Sequence, residues 1–259
     1  MVGTVALSSV VWMQRPSEAR REISDLLVGG RFNSADHVEQ TSLATVLTDQ
    51  IAQKGEKNEL GNNPKRNLLD LSPTLTSKDF SPRMKAALEY EYEIERGEEN
   101  MLLAGMAGVR SIERDIVRYA RERIENPQAG MFYGTLPWAA NLVRARRGNA
   151  ESLQKILEAA RKADVHTQIV FLLQDLAYVP QPEVVRYMAG FVFSGDRLEP
   201  IDSNFAPPHA VYAAAALSRM LIGCPVPYKE DYSYTLEEID LLRNWLETTK
   251  TFEFKSDGQ

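Results

Sequence analysis

Arginine dominates the residues whose spacing could do chemistry. Arg110, Arg114 and Arg118 recur at i, i+4 and i+8, Arg121 and Arg123 follow, and Arg144, Arg146 and Arg147 extend the same basic region. On one helix the first three share a face, and a row of guanidinium groups there can receive an acidic partner, a phosphate or an anionic lipid surface. A structural use competes with that one. Asp115 with Arg118, Arg118 with Glu122, and Arg121 with Glu125 are spaced to pair along the helix. The candidate partner-binding residues of this region are Arg110, Arg114, Arg118, Arg121, Arg144 and Arg147.

Other reactive residue types form no constellation. Six glutamates between positions 89 and 99 lack the Asp/Asn/Gly spacing of a calcium loop and read as a solvated helix face. His37, His166 and His209 have no Cys, Asp or Glu at ligand spacing; His166, close after Asp164, reads as a residue of a helix start. Cys224 is the sole cysteine, so neither an internal disulfide nor a thiolate metal site can be built, and Gly223-Cys224-Pro225 reads as a helix end. Gly105 and Gly108 lack the preceding strand and the following Lys-Ser/Thr of a phosphate loop. No catalytic, metal or cofactor-binding residue is assigned and no cofactor is expected. An enzyme with scattered catalytic residues stays open as an alternative.

With 259 residues, 44% of them hydrophobic and 25% charged, the chain can bury one large core. Its net charge of −6 argues against general nucleic-acid binding, which needs a basic footprint. The charge is unevenly placed. Residues 106–165 carry 11 Lys/Arg against 7 Asp/Glu, a net +4 between flanks of −4 and −6.

The elements that must hold these residues read as helices throughout. Residues 1–15 are an apolar segment, VGTVALSSVVWM at its core, shorter than the roughly 20 residues of a membrane helix. It reads as the end of an export or anchor segment, as an element packed on the body, or as an unstructured start. Trp12 followed by Arg15 favours the first, and with it membrane attachment or a place outside the cytoplasm. Residues 16–53 predict a helical hairpin: Ala19, Ile23, Leu26 and Leu27 make one stripe, and Asp36-His37-Val38-Glu39 a capping box for the second helix. Residues 54–80 lose periodicity and predict a linker or a surface strap.

From 81 to 250 a helical stack is expected, followed by a frayed polar tail over 251–259. Leu88, Tyr90, Tyr92 and Ile94 alternate with glutamates as a strand would, yet glutamate is a poor strand former, so helix is predicted there. Met101 to Ile124 predicts one helix kinked at Gly105 or Gly108, and Pro137 to Arg147 another. Gly148-Asn149 should stop that helix and cap the next, and Val165 to Tyr178, apolar on most sides, should be an inner helix. Thr235-Leu236-Glu237-Glu238 is a capping box for the last helix. Between PEVVRYMAGFVF and HAVYAAAALSRMLIG lies the loop Gly195 to Pro208. Phe193, Asp196, Arg197 and Phe205 at this loop are further candidate partner-binding residues, since loops on stiff scaffolds carry binding and aromatics anchor interfaces.

Those two segments, with an x-Pro-Glu-Val start and an Ala-rich helix, resemble HEAT-type repeats, in particular the short variety related to phycobilisome-lyase repeats. Two or three units would cover residues 134–223, although the loop after Phe193 is longer than the tight turn of such a unit. The resemblance implies an all-α fold, an irregular α-solenoid of stacked antiparallel helix pairs. It implies a non-catalytic interaction or scaffold module with a protein partner. A pigment-related or modifying enzyme subunit is compatible with the lyase-like repeats. Binding of an anion or anionic membrane by residues 110–147 is the third reading.

Overall fold

The side chains of Asn149, Asp164 and Thr235 cap helix starts. The computed structural model describes residues 69, 72–80, 82–124, 135–194 and 208–255. Pro82, at the first helical position where its missing N–H costs nothing, opens α1 (Pro82–Ile94), which runs through the alternating Leu/Glu stretch as a helix. A short turn at Gly97 leads to α2 (Glu98–Ala107).

The stretch expected as one kinked helix from Met101 to Ile124 is two. α2 ends at Gly108, whose φ of 73° lies in the left-handed region and whose N–H closes on the Ala104 and Gly105 carbonyls. The chain then turns through Val109 to Ile112 into α3 (Glu113–Arg121). Arg110 therefore stands on the turn and not in line with Arg114 and Arg118. α3 stops at Arg121, so Glu122 has extended backbone and leaves the i+4 position facing Arg118.

α4 (Leu136–Arg146) is the centre of this half, with Trp138, Ala139, Ala140, Leu142, Val143 and Ala145 fully buried. It packs on α2, α3 and α5 (Ala150–Lys162), and its alanines let these neighbours approach closely. The expected stop and cap are present: Gly148 has a φ of 86°, and the Asn149 side chain accepts from the Ser152 N–H at 2.8 Å.

α6 continues from an α-helical turn at Val165–Thr167, capped by Asp164, through a π-helical stretch at Gln168–Leu172 into α-helix at Leu173–Leu176. The inner helix expected there is thus locally widened. Pro182 opens α7 (Pro182–Phe193), which pairs with α8 (Pro208–Met220). α8 is the second central helix. It is buried on nearly every side, with Ala210, Ala213, Ala214, Ala215, Ala216 and Leu217 all enclosed, and it touches α6, α7 and α9 (Leu236–Thr248). The capping box at Thr235 and Glu238 that launches α9 is formed as read.

Among the described residues there is no strand, and the protein is all-α. One isolated antiparallel bridge joins Leu221 to Phe254. Around it the Ile222 N–H donates to the Glu253 carbonyl and the Lys255 N–H to the Met220 carbonyl, each at 2.9 Å. The end expected as a frayed tail is thus tied down as far as Lys255, because Phe254 is apolar and buried. The apolar segment 1–15 and the hairpin 16–53 lie outside the described residues. No described helix is long and apolar enough to cross a membrane.

Residues 72–80 form two 3₁₀ turns, Ser72–Thr74 and Ser77–Asp79, with Ser72, Leu75 and Phe80 buried. The first turn touches α8 and the second touches α2.

The close approach of α2 and α4 has a testable consequence. A Cβ on Gly105 would lie 2.5 and 2.7 Å from the two γ-carbons of Val143, a residue stiff about χ1. Gly105→Ala is expected to destabilise the protein by about 1–3 kcal/mol, read from urea unfolding. Gly190, in α7 with nothing within 4 Å of the same position, provides the contrast. Gly190→Ala is expected to stabilise by about 0.5–1 kcal/mol.

Candidate functional site

α3 turns Ile116 and Ala120 into the core and presents Arg114, Val117, Arg118 and Arg121 outward. These four follow i, i+3, i+4 and i+7, the spacing of one helix face. Val117 is 39% exposed, an apolar residue set among arginines. With Glu113 and Glu122 they line a shallow depression.

The arginines differ in how they are held. Arg118 pairs with Asp115 at 3.2 Å and lies over the Tyr119 ring, 4.3 Å from its centroid. Asp115 also accepts the Tyr92 hydroxyl at 3.1 Å and has Arg96 at 3.9 Å, so it fastens α1 to α3. Burial, followed by the charge of Asp115, raises the Tyr92 hydroxyl above its ordinary range. Arg114 and Arg121 have no ion-pair partner among the described residues. Arg110 is exposed on the preceding turn.

Arg147 is structural. Its Nη1 donates to Glu113 Oε1 at 2.6 Å and its Nη2 to the Gly105 carbonyl at 2.8 Å, joining the end of α4 to α3 and α2. Arg144 is half-buried near Glu151, whose carboxyl is held below its ordinary range chiefly by a hydrogen bond from Lys155. Phe193, the last residue of α7, is 42% exposed. Next to it the Val192 carbonyl accepts from Arg243 Nε at 2.9 Å. Asp196, Arg197 and Phe205 lie outside the described residues.

One arginine read as part of the basic surface points the other way. Arg146 Nη1 donates to the Tyr178 carbonyl, and Nη2 donates to the Ser72 carbonyl at 2.9 Å and to the Leu75 carbonyl. The guanidinium lies 4.8 Å from the Tyr178 ring centroid, and the Tyr178 hydroxyl donates to the Leu102 carbonyl at 2.8 Å. Burial pulls the Arg146 pKa down, yet the group stays a cation in this carbonyl cage. A signal was present in the sequence: 146 falls at i+8 from Trp138 and i+4 from Leu142, on the buried stripe of α4.

The remaining reactive groups are tied into the architecture. His209 is buried, its Nε2 3.0 Å from the Ser194 carbonyl, and His166 stands edge-on to Phe171 at 6.2 Å. Trp138 Nε1 donates to buried Asp175 at 3.1 Å. Burial pushes the Cys224 thiol up and the Lys255 ammonium down, and Lys255 Nζ donates to the Ser218 carbonyl at 2.7 Å. The Tyr234 hydroxyl donates to the Pro227 carbonyl at 2.9 Å and accepts the Lys229 N–H at 3.0 Å. Among the described residues no group of three His, Cys, Asp or Glu could hold a metal ion.

Burial pushes the Tyr178 and Tyr234 hydroxyls from the ordinary 10.0 up to about 12. The folded state holds these protons more tightly than the unfolded chain, so their contribution is complete below the ordinary value and is lost as pH rises toward the folded one. The urea midpoint is therefore expected to fall between about pH 10 and about pH 12. Tyr178→Phe removes one of the titrating groups, so its alkaline fall should be shallower. At neutral pH it should cost about 1 kcal/mol for the hydrogen bond to Leu102.

The chain matches no protein-family model, no curated protein and no solved structure.

Proposed function

We propose that this chain is a non-catalytic interaction module, an irregular stack of helix pairs of the HEAT-like kind, that holds a protein partner on the outer face of α3. The observation that carries the reading is that face itself: exposed Val117 among Arg114, Arg118 and Arg121, two of which lack ion-pair partners among the described residues. Arginine with an apolar neighbour is the composition of an interface centre and not of a solvated helix face. Contacts running mainly between successive helices, α1 with α2, α4 with α5 and α7 with α8, support the stacked reading. The contacts of His166, His209, Cys224 and Asp175 speak against a reaction centre among them. Glu113 and Glu122 at the ends of the same face favour a protein over a uniformly anionic surface.

The test is capture of partners by the tagged full chain from lysate of its own source, compared with Arg114→Glu/Arg118→Glu. Loss of the Arg118–Asp115 pair should cost under about 1 kcal/mol, so circular dichroism and unfolding should stay close to the parent. Recovery of a specific partner should fall by about tenfold or more. An unchanged partner set on the variant would remove the α3 face from the proposal.

A further inference from the structure

A second feature lies where the end of α3 meets α5. A groove of about 300 Å³ opens there, and Arg121 belongs both to it and to the α3 depression, so the two basic surfaces are continuous. Arg121, Arg123, Lys155 and Lys162 line it, against Glu122 and Glu158. Ile124 and Ala159, half-buried and packed on the core, supply apolar surface between the charges. The cations are not consumed by the fold. Arg121, Arg123 and Lys162 are exposed and have no ion-pair partner among the described residues.

Lys155 is the exception. It pairs with Glu151 at 2.8 Å and donates to the Ala120 carbonyl at 3.2 Å. Ala120 is in the last turn of α3, and its carbonyl also accepts from Asn141 Nδ2 at 3.4 Å. Of the two acidic residues, Glu158 already accepts from Gln154 at 2.8 Å.

We infer that this groove binds an extended acidic peptide segment of a partner, carboxylates against Arg121, Arg123 and Lys162, and interleaved apolar side chains on Ile124 and Ala159. The inference rests on the interaction-module reading and adds the chemistry of the partner. Spacing supports it. Residues three and four apart on a helix have Cβ atoms about 5–6 Å apart, so Arg114, Arg118 and Arg121 are spaced close to the roughly 6.6 Å between alternate side chains of an extended chain. A strand-like segment running along α3 into the groove can therefore set every second side chain against a cation. The interspersed Glu122 and Glu158 select against a regular phosphate backbone and an anionic bilayer, which would bring charge to them as well as to the arginines. A peptide can place a neutral residue there.

The experiment uses the full chain and fluorescence anisotropy with a fluorescein-labelled peptide in which aspartate and glutamate alternate with leucine and serine. Comparison ligands are the same peptide with lysine replacing each acid, a single-stranded oligonucleotide, and vesicles of phosphatidylcholine with phosphatidylglycerol. The acidic peptide is expected to bind, more weakly as salt rises, and Arg123→Glu/Lys162→Glu should weaken it by about tenfold or more with unchanged circular dichroism. Absence of binding to the parent protein would overturn the inference. So would parental affinity in the groove variant, or equal or tighter binding of the oligonucleotide or the vesicles.

The same groove variant is taken into the partner capture. If it retains the partner that Arg114→Glu/Arg118→Glu loses, the module reading stands and the groove falls. If the peptide binds through the groove while capture ignores the α3 reversal, the groove stands and the α3 face falls.

Discussion

The last turn of α4 is the constraint on which the rest depends, and Arg146 is its centre. No carboxylate among the described residues pairs with this guanidinium; carbonyls of Ser72, Leu75 and Tyr178 do. A partly buried cation is costly unless its donors are satisfied, and these carbonyls supply the acceptors; that of Ser72 also accepts the Leu75 N–H at 3.3 Å. The consequence is long-range order: the 72–75 turn is pinned to α4 and to the end of α6, and through the Tyr178 hydroxyl to α2. The same turn touches α8, so both central helices bear on one short segment.

Arg147, the next residue, works on another side of the same helix. Successive helical residues point about 100° apart, and while Arg146 reaches the turn at Ser72, Arg147 grips Glu113 and the Gly105 carbonyl. It thereby fixes where α3 begins relative to α4. The outward direction of Arg114, Val117 and Arg118 follows from that grip together with the buried faces of Ile116 and Ala120. An interaction surface on α3 is thus held by groups some 30 residues away in sequence, such as the Arg147–Glu113 pair.

What the sequence made legible was local. The Thr235 capping box, the prolines opening α1 and α7, and the Asn149 cap are hydrogen bonds or φ restrictions within four residues, so residue type announces them. The alternating stretch in α1 was decided by propensity against period, and the structure agrees with propensity. The division of α2 from α3 was half legible: both Gly105 and Gly108 can break a helix, but only Gly108 adopts the left-handed conformation, while Gly105 makes room for Val143. That choice is made by a residue on another helix. The π-helical stretch of α6 and the pairing of Leu221 with Phe254 are likewise set by tertiary neighbours, as is the inward turn of Arg146.

The basic excess of residues 106–165 contains three groups of cations with different electrostatic consequences. Arg147 and Arg118 face carboxylates, and their fields are largely cancelled nearby. Arg146 and, in part, Lys155 bond to carbonyl oxygens, which satisfy donors without removing charge. Arg110, Arg114, Arg121, Arg123 and Lys162 have no ion-pair partner among the described residues. A cation bonded to carbonyls still contributes potential at the surface above it, attenuated by the local dielectric and not by a counter-charge. Arg146, bonded to neutral carbonyls, therefore keeps a field that Arg147, paired with Glu113, does not. A fold that had paired Arg146 with a carboxylate would have gained a similar anchor and lost that field.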